Sequence, residues 1–381
     1  MLKVVVAPNA FKGTLSATEA AAAIASGVGR AWPEAVVTQL PLSDGGDGFV
    51  DTLAAGAGGY VEWHRVPGCL GELRDAPILW LERGHVAAIE LATVDGIGHP
   101  MAPSPESAEV ASSRGVGCLL TAALLRAPTR ILIGLGGSAS TDGGSGLARA
   151  LGFRFVDAAG VDLAEGGVEL RRLAHIEPPR DSVVGGGTEI VGACDVSSPL
   201  LGADGAACVY GPQKGADSST VALLDEGLAR LVHVVEHDLG VKGMHSVAGA
   251  GAAGGCGFGL LVFAGARLTR GVTIVADSCQ LDQALRGADL VVTGEGHFDH
   301  QSLLGKVPGE VVRRAHRLGV RCYVLAGSAH RGAKQELARF GAQLLVLQDG
   351  SDLAVPSFRD SWSGLELAAF GLCGQMVAPE C

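Results

Sequence analysis

Short β-branched runs alternate with longer stretches whose apolar positions recur at helical spacing, and this rhythm sets the first expectations. Residues 3–7 are apolar and β-branched, which predicts a strand that ends in the loop 8–14. Ser16 caps the helix that follows, with Glu19 three residues on completing a capping box, and alanines carry it to about Trp32. Residues 36–40 predict a second strand, which runs into Ser43-Asp44-Gly45-Gly46-Asp47-Gly48, and a helix continues to about Ala55.

From Tyr60 the pattern changes. Residues 60–66, 78–81 and 86–91 predict short strands, with Glu82-Arg83-Gly84 as a hairpin turn between the last two. This is not a βαβ rhythm, and it places a domain boundary near residue 58. Strand 131–134 then leads into a long glycine loop and a helix, and strand 189–193 leads into Cys194-Asp195. Residues 218–237 predict a long amphipathic helix. Toward the end, strands at 289–293, 322–326 and 343–347 alternate with helices near 306–318 and 332–340, and a last helix is expected at 365–372. The two ends of the chain therefore predict one doubly wound parallel-sheet domain, into which the middle is inserted.

Composition narrows the class. A chain of 381 residues with 48% apolar and 4% aromatic residues fits a two-domain α/β enzyme. The net charge of −11 argues against nucleic acid or an acidic membrane as partner. No apolar run approaches the roughly 20 residues of a membrane span, and the first strand is too short for a signal peptide's apolar region. The nine cysteines are scattered without a CxxC pair and suggest reduced thiols, so a cytoplasmic location is expected.

Glycine makes up 58 residues, and much of the excess lies in a few segments beside carboxylates. The strongest is Gly134-Leu135-Gly136-Gly137-Ser138-Ala139-Ser140-Thr141-Asp142-Gly143-Gly144-Ser145-Gly146, set between a strand and a helix where backbone amides can meet a phosphate. Gly134-x-Gly136-x-x-Ala139 also fits a loose dinucleotide fingerprint, with Asp157 beyond it. Extra Ser, Thr and Asp in the loop weaken that match. There is no Walker A motif: Gly305-Lys306 lacks both the earlier Gly and the following Ser or Thr. Only six of the 29 basic residues are lysines, and Lys12, Lys214 and Lys306 stand beside Gly in loop-like motifs, which suits an anion site. Asp44, Asp47, Asp195, Glu295 and Asp299 all occupy strand-end loops, where phosphoryl transfer would need a base and metal ligands. His233-x-x-Glu236-His237 matches an inverted zinc-peptidase pattern, but an ordinary exterior helix explains it better. Cys194 is better explained as a buried structural thiol than as a nucleophile.

Seven segments then carry a resemblance: 7–17, 41–48, 134–146, 193–196, 211–216, 249–259 and 293–296. They include Pro8-Asn9-Ala10-Phe11-Lys12-Gly13-Thr14, Gly211-Pro212-Gln213-Lys214-Gly215-Ala216 and Thr293-Gly294-Glu295-Gly296, and in this order they resemble the bacterial glycerate kinases. The resemblance implies ATP-dependent phosphorylation of D-glycerate with Mg2+, usually on the 2-hydroxyl. It also implies a flavodoxin-like domain (1–58 plus 286–381) with a second α/β domain inserted (59–285) and the active site in the cleft between them. Asn9-Ala10, Arg114, Cys118, His297 and His300 depart from the commonest family pattern.

On these grounds Asp195 is expected to act as base or orienter, with Lys12 and Lys214 as further catalytic residues. Asn9, Ser43, Gly136, Gly137, Ser138, Asp142, Gly294 and Lys306 are expected at substrate or phosphate. Asp44, Glu295 and Asp299 are the metal candidates. The oligomeric state is left open. Two rival readings stand beside this one: a nucleotide-cofactor dehydrogenase of a small hydroxy acid, and a catalytically inactive anion-binding regulatory protein.

Overall fold

A computed structural model describes residues 1–11, 13–46, 48–98, 100–181, 183–347 and 361–375, so Lys12 and Asp47 lie outside the described residues. The chain forms two compact units: Met1–Asp44, Asp51–Gly58 and Val272–Cys381 make the first, Gly45–Val50 and Gly59–Gly271 the second. In chain order the strands are β1 (Lys3–Val6), β2 (Val36–Gln39), β3 (Tyr60–Pro67), β4 (Leu73–Leu81), β5 (Val86–Glu90), β6 (Arg130–Gly134) and β7 (Arg154–Val156). They continue with β8 (His175–Glu177), β9 (Glu189–Ala193), β10 (Arg267–Thr269), β11 (Leu290–Phe298), β12 (Arg321–Ala329) and β13 (Ala342–Val346).

The first unit is a parallel sheet in the order β2-β1-β11-β12-β13, with Val4 opposite Leu290 and Leu290 opposite Arg321. Val4, Val6, Leu290, Val292 and Leu325 bury one face against Ile24 and Val28 of helix Ala17–Ala31 and Leu365 and Leu372 of helix Ser361–Gln375. Helix Val307–Leu318 packs on β11 and β12. Alternate strand residues Val5 and Val291, also buried, face the opposite side of the sheet. The Ser16–Glu19 capping box forms as the sequence predicts. The last helix is tied in by Ser26 Oγ donating to Glu366 at 2.7 Å.

Three boundaries differ from the sequence reading. β11 runs on to Phe298, so Gly294 and Glu295 sit within a strand rather than in the loop after it. The return to the first unit comes at Val272 rather than at 286, because Val272, Val275, Leu281 and Leu285 are buried there and Cys279 packs against Gly56. Segment Gly45–Val50 goes with the second unit, since the Gly48 and Val50 amides donate to the Glu90 carboxylate at 2.9 and 3.1 Å.

The second unit holds a six-stranded sheet in the order β10-β9-β6-β5-β4-β3. β5, β6, β9 and β10 are parallel, and β4 and β3 extend them antiparallel. β4 begins at Leu73, earlier than its apolar run; Arg74, Asp75 and Pro77 mask the pattern, but eight residue pairs with β3 hold it. Among the described residues no helix is long and apolar enough to cross a membrane.

Candidate active site

In a doubly wound sheet a crevice opens where the strand order reverses, at the C-terminal ends of the two strands on either side. In the first unit those strands are β1 and β11. Backbone bonds shape the crevice: the Asn9 amide donates to Gly294 O at 2.9 Å and the Leu42 amide to Pro8 O at 2.9 Å. Thr293 Oγ1 adds a bond to Ala7 O at 2.6 Å. Here lies a cavity of about 290 Å³ whose lining includes Asn9, Asp44, Glu295, His297, Asp299 and Lys306.

Glu295 is 5% exposed, and its Oε1 is buried with no hydrogen-bond partner. Desolvation pushes its carboxyl up to about 7; a Ser302 hydrogen bond and the Lys306 charge oppose this, while Asp299 and Asp44 reinforce it. Asp299 has a different task. It caps helix His300–Leu304, with Oδ1 accepting from the Ser302 amide at 2.9 Å, and it pairs with Lys306 Nζ at 3.3 Å. Burial pushes its carboxyl up, but Lys306 and the Ser302 donors outweigh that and hold it below its ordinary value.

The orphaned Glu295 oxygen, with Asp44 on the same cavity, fits a hard divalent cation, which takes oxygen ligands. Asp299 is partly engaged as cap and ion-pair partner, and Oδ2, which Lys306 also reaches, is its less encumbered atom. Gly294 does not face a ligand as expected. A Cβ there would lie 2.3 Å from Leu325 O, and its own carbonyl is taken by Asn9, so glycine is required for strand packing. Asn9 and Ser43 are both buried in this unit.

In the second unit the long glycine loop follows β6. The amides of Gly136, Gly137 and Ser138 have no acceptor among the described residues, as a cradle for an anion requires. Gly136 cannot carry a side chain, since a Cβ would lie 2.4 Å from Gly46 Cα. Behind the loop sits a residue that the sequence reading missed. Asp95 is 1% exposed and accepts from the Ser140 amide at 2.8 Å and Ser140 Oγ at 2.5 Å. Lys214, 4% exposed, donates to Ser138 Oγ at 2.8 Å and Ser140 O at 2.5 Å. Burial pushes the Asp95 carboxyl up and the Lys214 ammonium down, and their mutual attraction opposes both shifts. Lys214 thus shapes the loop from behind and also lines a cavity of about 20 Å³, room for one water-sized group.

Asp142 is a correction. It is fully buried and faces inward, accepting from the Ser113 amide and hydroxyl at 2.9 Å and from the Gly144 and Gly146 amides at 3.0 Å. It anchors the loop and has no free face for a phosphate. Asp195 is exposed just past β9, with Oδ1 accepting from the Gly271 amide at 3.2 Å.

The structure bears on three other readings. Asp157 is spent on a turn, accepting from the Ala159 and Val161 amides, which removes the acidic partner of the dinucleotide fingerprint. The zinc-peptidase pattern does not form. The helix ends at Val234 and widens into a π-turn over Val235–Leu239, where His237 pairs with Asp238 and Glu236 with His245. Burial pushes the Cys194 thiol up to about 11, which suits a structural residue rather than a nucleophile.

Fold and site define an α/β enzyme of the phosphate-handling kind. The family model for the glycerate kinase family matches residues 4–362. The chain is 39% identical over 333 residues to glycerate 2-kinase of Escherichia coli, covering 86% of this chain and 85% of that protein. It is 38% identical over 330 residues to glycerate kinase of Bacillus subtilis, covering 87% and 86%. The solved structure of glycerate kinase 2 from Salmonella typhimurium LT2 matches with a TM-score of 0.80 at 35% identity, over 98% of each chain. The chain belongs to the glycerate kinase family and is a kinase enzyme.

Proposed function

We propose that the enzyme transfers the γ-phosphoryl group of ATP to the 2-hydroxyl of D-glycerate with Mg2+, giving 2-phosphoglycerate and ADP. The observation that carries this is the buried, unpartnered Glu295 oxygen on a cavity that also presents Asp44 and the Lys306 ammonium. A polar atom left unpaired at that depth is costly unless a ligand completes it. The relative named glycerate 2-kinase supports the 2-position, and eight free cysteines among the described residues suit a cytoplasmic enzyme.

Asp44 and Glu295, with Asp299 Oδ2 beside them, would hold the Mg2+. When bound, the ion neutralises phosphate charge. Lys306 contacts phosphate oxygens, a role the family resemblance also gives Lys12, and Asn9 and Ser43 lie buried in the same unit as Lys306. The Gly136, Gly137 and Ser138 amides receive an anionic group of a substrate, held in shape by Lys214 and Asp95. Asp195 orients the glycerate hydroxyl and takes its proton as the oxygen bonds to the γ-phosphorus and the bond to ADP breaks.

Incubation with ATP, Mg2+ and D-glycerate tests the whole reading. ADP release with a 2-phosphoglycerate signal in the phosphorus NMR spectrum is expected. A 3-phosphoglycerate signal overturns the assigned position. Binding of both substrates without ADP release would favour the regulatory reading.

A further inference from the structure

We propose that the enzyme carries a second metal site, for a transition-metal cation of the Zn2+ class, formed by His300, His330 and Glu336. The site lies at the C-terminal ends of β11 and β12. Parallel pairing sets Phe298 opposite Ala329, and the His330 amide donates to Phe298 O at 3.0 Å. His330 therefore follows β12 directly, His300 opens helix His300–Leu304, and Glu336 comes from helix Ala333–Ala338. One ligand atom from each lies within 4.8 Å of the others. Four-coordinate zinc with bonds near 2.0–2.1 Å spaces its ligands at roughly 3.3 Å, so modest side-chain adjustment seats an ion. None of the three residues lines the Glu295 cavity.

The hydrogen-bond geometry leaves one nitrogen open to a cation. His330 Nδ1 lies 3.0 Å from Arg331 O. A carbonyl only accepts, so Nδ1 carries the proton and Nε2 keeps its lone pair in the neutral ring. Nε2 is buried without a hydrogen-bond partner, and it lies 3.4 Å from Glu336 Oε2. Between neutral imidazole and carboxylate both atoms are acceptors, and a cation resolves that clash. The His300 and His330 ring centroids are 3.9 Å apart, so both imidazoles reach the same carboxylate. His300 Nδ1 meets the other Glu336 oxygen at 3.2 Å. The His330 ring is oriented by Phe298, which stacks on it at 10° between planes. A backbone acceptor on the far nitrogen and a packed ring face are the outer-shell supports of a metal-binding histidine. Two imidazoles and a carboxylate suit Zn2+ rather than Mg2+.

The test is calorimetric titration of the chelator-stripped enzyme with Zn2+ alone, on wild type and on the variants His300→Ala, Glu336→Gln and Glu295→Gln. His300 is exposed, so its variant is expected to fold, and a metal-free melt verifies each protein. One Zn2+ per chain is expected in wild type and in Glu295→Gln. About ten-fold or weaker binding is expected in His300→Ala and Glu336→Gln. Absence of binding in wild type, or unchanged binding in both of those variants, overturns the site. Loss in Glu295→Gln with retention in His300→Ala assigns the metal to the Glu295 cavity and overturns it equally.

Discussion

Replacing Glu295 by Gln should make the metal-free protein more stable, and increasingly so as the pH rises. The Glu295 carboxyl sits at about 7 in the folded chain against an ordinary 4.5, chiefly because burial disfavours its charged form. Because the folded value is the higher, the stability it contributes is full below the unfolded value and is lost as pH rises through the folded one. At about 1.4 kcal/mol per pKa unit, linkage between pH near 5 and near 8 costs the wild type about 2.5 kcal/mol that the Gln variant does not lose. For a domain of roughly 150–250 residues this corresponds to about 5–10 °C in melting temperature.

Paired thermal melts of wild type and variant in chelator, at both pH values, measure the difference. It should open by about that amount toward high pH and narrow when Mg2+ is added to the wild type, since a ligand that binds only the folded state stabilises it. A gap that does not change with pH, or a variant that melts lower throughout, would refute the assignment of a desolvated carboxyl. The same substitution should remove most kinase activity, because the ordinarily charged oxygen on the cavity is gone.

Asp195→Asn should lower kcat by about 10²–10⁴-fold with little change in melting temperature, because the residue is exposed; steady-state rates and a melt decide it, and retained activity would remove Asp195 from the chemistry. Asp142→Asn should do the reverse, since each donor left without an acceptor costs about 1–3 kcal/mol; its melting temperature should fall while KM, measured in the cold, stays near the wild-type value. Gly136→Ala places a methyl 2.4 Å from Gly46 Cα and should cost about 1–3 kcal/mol. It should also raise KM for one substrate as the amide cradle shifts, and an unchanged KM would show that these amides hold nothing.

The central strands of the first unit were legible because they are buried on both faces and so read as β-branched runs, as residues 4–6 and 290–292 show. Glycine misled where it served packing. Gly294 was read as loop, yet it lets β11 lie close against Leu325 O and carry Glu295 into the crevice. The acids beside glycine were equally ambiguous. Asp142 and Asp195 look alike locally, but Ser113, 29 residues before Asp142, supplies the donors that turn it inward. Asp95 had no local signal at all, because its partner Ser140 is 45 residues away and Lys214 lies 74 residues beyond Ser140. The histidines make the same point from both sides. His233 and His237 had a metal-like spacing but join no group of three candidate ligands among the described residues, whereas His300 and His330 had none and meet because β11 and β12 pair in parallel register. Local spacing foretells chemistry only where one element carries all the ligands. At the C-terminal ends of parallel strands each ligand arrives on its own loop, so strand register decides which residues share a site.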